Sequence, residues 1–210
     1  MKLAVQLIVC SFLICSCGGS GKVNVDKLDI AGIQLDMPMN EAMILAWDAV
    51  GGEAPKSKRK AKKLETSKLS DLLCPTTTRE KYADFREGQI EQFTASKEGV
   101  TVILNAVHNG KDDHAKVYSI KYSLQDKGNS ATATEMGKKA LKKYGKPTYG
   151  EERNGRYYYG WCSQPKESGG CTLKTGSLKI SNQELVLEDQ GLYEEYQKQS
   201  NKKNAGKANF

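Results

Sequence analysis

The chain has 210 residues, 27% charged and 38% hydrophobic, with a formal net charge of +7. That apolar content, with ten tyrosines, excludes a chain disordered throughout, and the length allows one or two domains. His108 and His114 are the two histidines, so a histidine-based triad would have to be built on the one loop that holds both.

Lys2 opens a short positive region, and Leu3 to Ile14 is apolar except for Gln6 and Ser11. A membrane span needs about 20 apolar residues, so this shorter run reads as the core of a signal peptide. Ile14-Cys15-Ser16-Cys17 places an apolar residue and two small ones before a cysteine. Cys10 and Cys15 follow Val9 and Ile14 and lack the small neighbour that precedes Cys17. Ile14 and Ser16 fit poorly the small-x-small site of the general signal peptidase. Residues 1–18 thus resemble the bacterial lipoprotein signal. The resemblance implies removal of residues 1–16 and acylation of Cys17, for instance by palmitate. With Gly18 rather than Asp after the cysteine, it also implies forwarding to the outer membrane, with the inner membrane as the alternative. Loss of Lys2 leaves a mature net charge of +6.

Residues 17–27, CGGSGKVNVDK, read as a flexible lipidated tether. Residues 28–35 read as one strand, and DMPMNEAMILAWDAVGG as a helix with Pro38 at its first position and Gly51-Gly52 at its end. Ala42, Leu45, Ala46 and Ala49 recur at helical spacing and define a buried face. A basic run follows, with Lys56, Lys58, Arg59, Lys60, Lys62 and Lys63. It reads either as a solvated loop or as a contact with an anionic surface, at about 1 kcal/mol per charge before salt screening. It lacks the interleaved aromatics of nucleic-acid recognition, and no nucleic-acid partner is expected. Leu69, Leu72 and Leu73 suggest a short helix before Cys74-Pro75.

Three alternating strands come next, at 90–96, 99–107 and 116–124, with a tight turn at Lys97-Glu98-Gly99. The loop HNGKDDHA between the last two matches no standard metal spacing, and neither a metal nor a cofactor is expected. A second helix is expected to open at Thr132 with a capping box to Glu135. Met136, Ala140, Leu141 and Tyr144 form its apolar face, and Gly145 and Pro147 its end. Strands RYYYGWC, CTLKT, SLKIS and ELVLED follow, with a turn at Asn182-Gln183. Gly191 onward starts a helix, and residues 200–210 read as a polar tail without fixed structure.

Runs of strands rather than strict β-α-β alternation give an α+β fold, an antiparallel sheet with two main helices on one face. A helix followed by meandering strands occurs twice, the pattern of a degenerate tandem repeat. The periplasm-facing domain spans residues 28–199. GIQLDMPMNEAMILAWDAVGG resembles the opening of small bacterial envelope domains, the SmpA/OmlA-type assembly lipoproteins and the tandem-repeat β-lactamase inhibitor proteins. KKALKKYGKPTYG resembles a second element of related secreted proteins. Asp36 stands where that pattern has glycine before methionine. The resemblance implies helices packed on one face of an antiparallel sheet and protein binding, not catalysis, on the exposed face.

Cys162 and Cys171 flank the polar loop SQPKESGG, and strand-like segments on both sides favour a disulfide between them, leaving Cys74 outside. Alternation puts Tyr157, Tyr159 and Trp161 on one side of their strand and Tyr158 on the other. Packing of the Trp161 side on a helix leaves Tyr158, beside Lys166 of the stiffened loop, as a partner contact. No G-x-S-x-G or activated-cysteine context is present. The sequence therefore reads as a lipid-anchored, non-catalytic protein-binding module, such as an envelope-assembly accessory or scaffold. An inhibitor or immunity protein blocking a periplasmic enzyme is the alternative, and a cell-wall hydrolase a remote one. The expected partners are the lipid bilayer, through Cys17, and another protein.

Overall fold

Alternation of apolar and polar residues in the strand-forming stretches gives each strand one dry and one wet side, which is what a sheet covered on one face requires. The computed structural model describes residues 23–52, 90–109, 114–125, 130–154 and 156–205. A 3₁₀ turn, Val25–Lys27, leads into β1 (Asp29–Ile30), β2 (Ile33–Gln34) and α1 (Met39–Ala49). Then come β3 (Gln92–Lys97), β4 (Val100–Val107), β5 (Lys116–Leu124) and α2 (Ser130–Tyr144). β6 (Tyr149–Arg153), β7 (Arg156–Cys162), β8 (Ser177–Ser181), β9 (Glu184–Glu188) and α3 (Gln190–Ala205) complete the chain order.

β1 and β2 form a small hairpin, and the other strands form one antiparallel sheet in the order β3-β4-β5-β9-β8-β7-β6. Each meander follows a helix, and their last strands meet in the middle, with Lys121 opposite Val186 at the centre of the β5–β9 pairing. The fold is α+β, with a helix followed by an antiparallel meander occurring twice, three strands in the first and four in the second.

Both units bury the same face. Phe93↔Leu104, Leu104↔Ile120, Ile120↔Leu187, Leu187↔Leu178 and Leu178↔Trp161 are cross-strand partners in one row of the core. α1 covers β3–β5 through Met39, Ala42, Met43 and Ala46, while α2 packs on β7 through Ala133, Met136 and Ala140. Gly137 lets α2 approach closely: a Cβ there would lie 2.8 Å from Tyr157 Cβ and overlap its ring. The opposite face carries Thr94, Thr101, Lys121, Ser123, Lys179, Ser181 and Glu184, with the ion pairs Lys121–Glu184 (2.5 Å) and Lys179–Glu188 (2.6 Å).

Several boundaries differ from the sequence reading. Val25 is fully buried, so the fold begins inside the expected tether. The single strand expected at 28–35 is a hairpin, turned by Ala31 and Gly32 at φ 55° and 82° and braced by Gly32 N–H to Asp29 Oδ1 (2.8 Å). On α1, Ala42 and Ala46 are buried as expected, Met39 and Met43 join them, and Leu45 and Ala49 are half-buried. α2 starts at Ser130, so Thr132 lies inside it, and Glu135 pairs forward with Lys139 (2.8 Å). CTLKT is no strand: β7 pairs instead with β8, Cys162 opposite Ser177. β6 is an added strand, paired with β7 from Tyr149↔Gly160 to Arg153↔Arg156. α3 runs on to Ala205, into the expected tail. Asp36, which stands where the resembled pattern has glycine, adopts the left-handed conformation itself (φ 64°), which aspartate tolerates better than most residues.

Candidate protein-binding surface

β7 delivers two surfaces because successive residues face opposite ways. Trp161 is fully buried, donating Nε1–H to the Gly145 carbonyl (3.2 Å) and meeting Tyr144 edge to face at 5.6 Å. Tyr144 donates its hydroxyl to the Asp29 carbonyl (2.8 Å), and Lys143 pairs with the Asp29 carboxylate (2.6 Å). Burial, and secondarily Asp29, push the Tyr144 phenol above its ordinary range. These contacts clamp the β1–β2 hairpin, the end of α2 and β7 together.

Beyond Cys162 the chain leaves the sheet as a connection, residues 163–176, before β8 returns. Its ends are tied by Ser163 N–H to the Gly176 carbonyl (3.0 Å). Cys162 and Cys171 form the expected disulfide, Cα–Cα 5.2 Å. Within it, Lys166 N–H bonds the Gly170 carbonyl (3.0 Å) and Thr172 N–H the Gln164 carbonyl (2.8 Å), a small hairpin turned by Gly169 and Gly170 at φ 85°. Lys166 is exposed at its tip.

The next turn, Thr172 to Thr175, is pinned separately. Thr175 Oγ1 donates to the Thr172 carbonyl (2.9 Å), and Lys174 Nζ pairs with Glu194 of α3 (2.9 Å). The first turn of α3 abuts the Lys174 backbone so closely that a side chain at Gly191 would overlap it. Asp189 caps that helix, accepting from Gly191 N–H (2.8 Å) and Leu192 N–H (3.0 Å). Burial raises the Asp189 carboxyl, against the pull of these donors. Between these braces Leu173 is 78% exposed. Leu173 is the more exposed of the two exposed large apolar side chains among the described residues, the other being Tyr158, and the sequence reading missed it by assigning the segment to a strand. Its signal was a lone apolar residue between Thr172 and Lys174, just before Gly176.

Tyr158 does point to the uncovered face, as alternation predicts, and is 36% exposed. It does not sit beside the loop. It lies four residues before Cys162, about 13 Å along the strand. Its partners are Glu151 and Ser181 across the strands and Asn182, to which its hydroxyl bonds (3.1 Å). Tyr158 and Lys166 therefore belong to different surfaces. Cys17, Cys74 and the basic run from Lys56 to Lys63 lie outside the described residues. Among the described residues, no three His, Cys, Asp or Glu side chains cluster as metal ligands, and no helix is long and apolar enough to cross a membrane. Compared with protein-family models, curated proteins and solved structures, the chain matches none of them.

Proposed function

We propose that this protein is a lipid-anchored envelope protein, held at the outer membrane through Cys17, that works by binding another protein and not by catalysis. The observation that carries this reading is Leu173, 78% exposed on a connection cross-linked by Cys162–Cys171 and pinned to α3. An apolar anchor held rigid before binding loses little conformational entropy on association, which converts more of its burial into affinity. Lys166 is exposed on the same connection and adds a charge to the loop surface. The left-handed Asp36 and the twice-used helix-plus-meander unit support the resemblance to small envelope domains. The same braced loop favours, as a second reading, an inhibitor or immunity protein that inserts it into a periplasmic enzyme.

Anchoring is tested by labelling cells with palmitate and fractionating membranes. The wild-type chain is expected to take up label and sediment with outer membranes, and Cys17→Ser to lose both. Unchanged labelling of Cys17→Ser rejects the anchor.

A further inference from the structure

α1 and α2 cover opposite halves of the sheet and leave a trough beside α2, near the β5–β9 pairing where the meanders join. Its floor is Tyr122 and Leu124 of β5 and Leu185 of β9, and its wall is Met136 and Ala140 of α2. Tyr122 and Leu124 are half-buried, so the floor is open to solvent. The free space is about 210 Å³. An apolar cavity of about 150 Å³ holds benzene, so the trough accommodates one aromatic side chain.

Its rim is cationic. Lys139, Lys143 and one acid, Glu135, line it, and Lys138 and Lys142 occupy the neighbouring outer face of the same helix, with Lys146 just beyond its end. Glu135 and Asp29 each neutralise one rim lysine, by pairing with Lys139 (2.8 Å) and Lys143 (2.6 Å). Lys138, Lys142 and Lys146 form no ion pair among the described residues. The local field therefore selects a negatively charged ligand, while the floor selects an apolar one.

We propose that this trough is a second binding site, for an acidic peptide segment that inserts one aromatic side chain against Tyr122, Leu124 and Met136 and lays its carboxylates along the lysines of α2. The site is separate from the Leu173 loop, which lies beyond the opposite, Cys162 end of β7.

The probe is a capped pentapeptide of one phenylalanine flanked by two acidic residues on each side, titrated into the isotope-labelled domain and followed by NMR. Shifts are expected to centre on Tyr122, Leu124, Met136 and Lys139. The same peptide with lysines for its acids, or alanine for its phenylalanine, is expected to bind at least about tenfold more weakly. Lys138→Glu/Lys142→Glu, on the exposed face, is expected to weaken the acidic peptide by about tenfold or more with an unchanged melt. Leu124→Glu is expected to abolish binding, its fold checked by the same spectra. Equal binding of the lysine peptide, or shifts centred elsewhere, overturns the proposal. So do phosphatidylglycerol vesicles that shift the trough residues while the peptide does not, since the lysines would then serve a membrane surface. Binding at the trough in a Leu173→Asp chain separates this site from the loop.

Discussion

The indole Nε1–H of Trp161 reaches the Gly145 carbonyl at 3.2 Å, where α2 ends. One side chain thus satisfies a carbonyl left over at the helix end and fills the core between α2 and β7. Trp161→Ala removes both and is expected to destabilise the domain by about 3–5 kcal/mol. Tyr158→Ala, on the other face of the same strand, is expected to cost under about 1 kcal/mol, the range of a partly exposed hydrogen-bonded side chain. Thermal and denaturant melts of the two variants check this. A Trp161→Ala melt equal to wild type contradicts the assignment of faces.

Much of this arrangement was legible because burial repeats with period two in strands. β9 and the middle of β3 and β4 alternate, and the strands fall close to where alternation places them; β5 breaks the pattern at the bulge opposite Asn105/Ala106, where the buried Val117 and Ile120 are three residues apart. Tyr157, Tyr158 and Trp161 divide between faces for the same reason. Two losses have physical causes. β6 is an edge strand whose residues after Tyr149 are exposed, so it carries no apolar alternation. Its signal was Asn154-Gly155, a dipeptide suited to a two-residue hairpin turn. Leu173 lies in CTLKT, whose composition resembles a strand that would pair with β7 and set Cys171 opposite Cys162. Here the approach is made by a loop that folds back on itself, and no local pattern distinguishes the two.

Asp189 offers a charge test with a defined sign. Its folded carboxyl titrates above the usual range because of burial. A raised acid holds its proton more tightly folded than unfolded. Its contribution is therefore fully present below the unfolded value of about 3.9 and is lost as pH rises through the folded one. Asparagine keeps the cap without the buried charge. Asp189→Asn is expected to be as stable as wild type or more so at pH 7, and to lack this part of the acid-range slope. Asp189→Ala loses the cap and is expected to cost about 1 kcal/mol. Chemical melts from pH 3 to 7 check both. A steeper loss for Asn than for Ala at pH 7 contradicts this account.

The disulfide makes a separable contribution. Closing so short a loop is expected to stabilise the fold by about 2–3 kcal/mol, so Cys162→Ala/Cys171→Ala should melt earlier by that amount. Non-reducing peptide mapping is expected to give a Cys162–Cys171 cross-link without Cys74. A Cys74 cross-link to either residue contradicts the strand pairing at the end of β7.

We propose that the braced loop engages a protein through Leu173. The direct measurement is a binding titration with the partner captured from detergent-solubilised envelopes, comparing wild type, Leu173→Ala and Tyr158→Ala at equal thermal stability. Leu173→Ala is expected to weaken binding by about 1–3 kcal/mol, roughly 5- to 150-fold. Tyr158→Ala, about 13 Å away along the strand, is expected to change it little. Unchanged affinity for Leu173→Ala with a large loss for Tyr158→Ala would contradict the claim and move the interface to the uncovered face of the sheet.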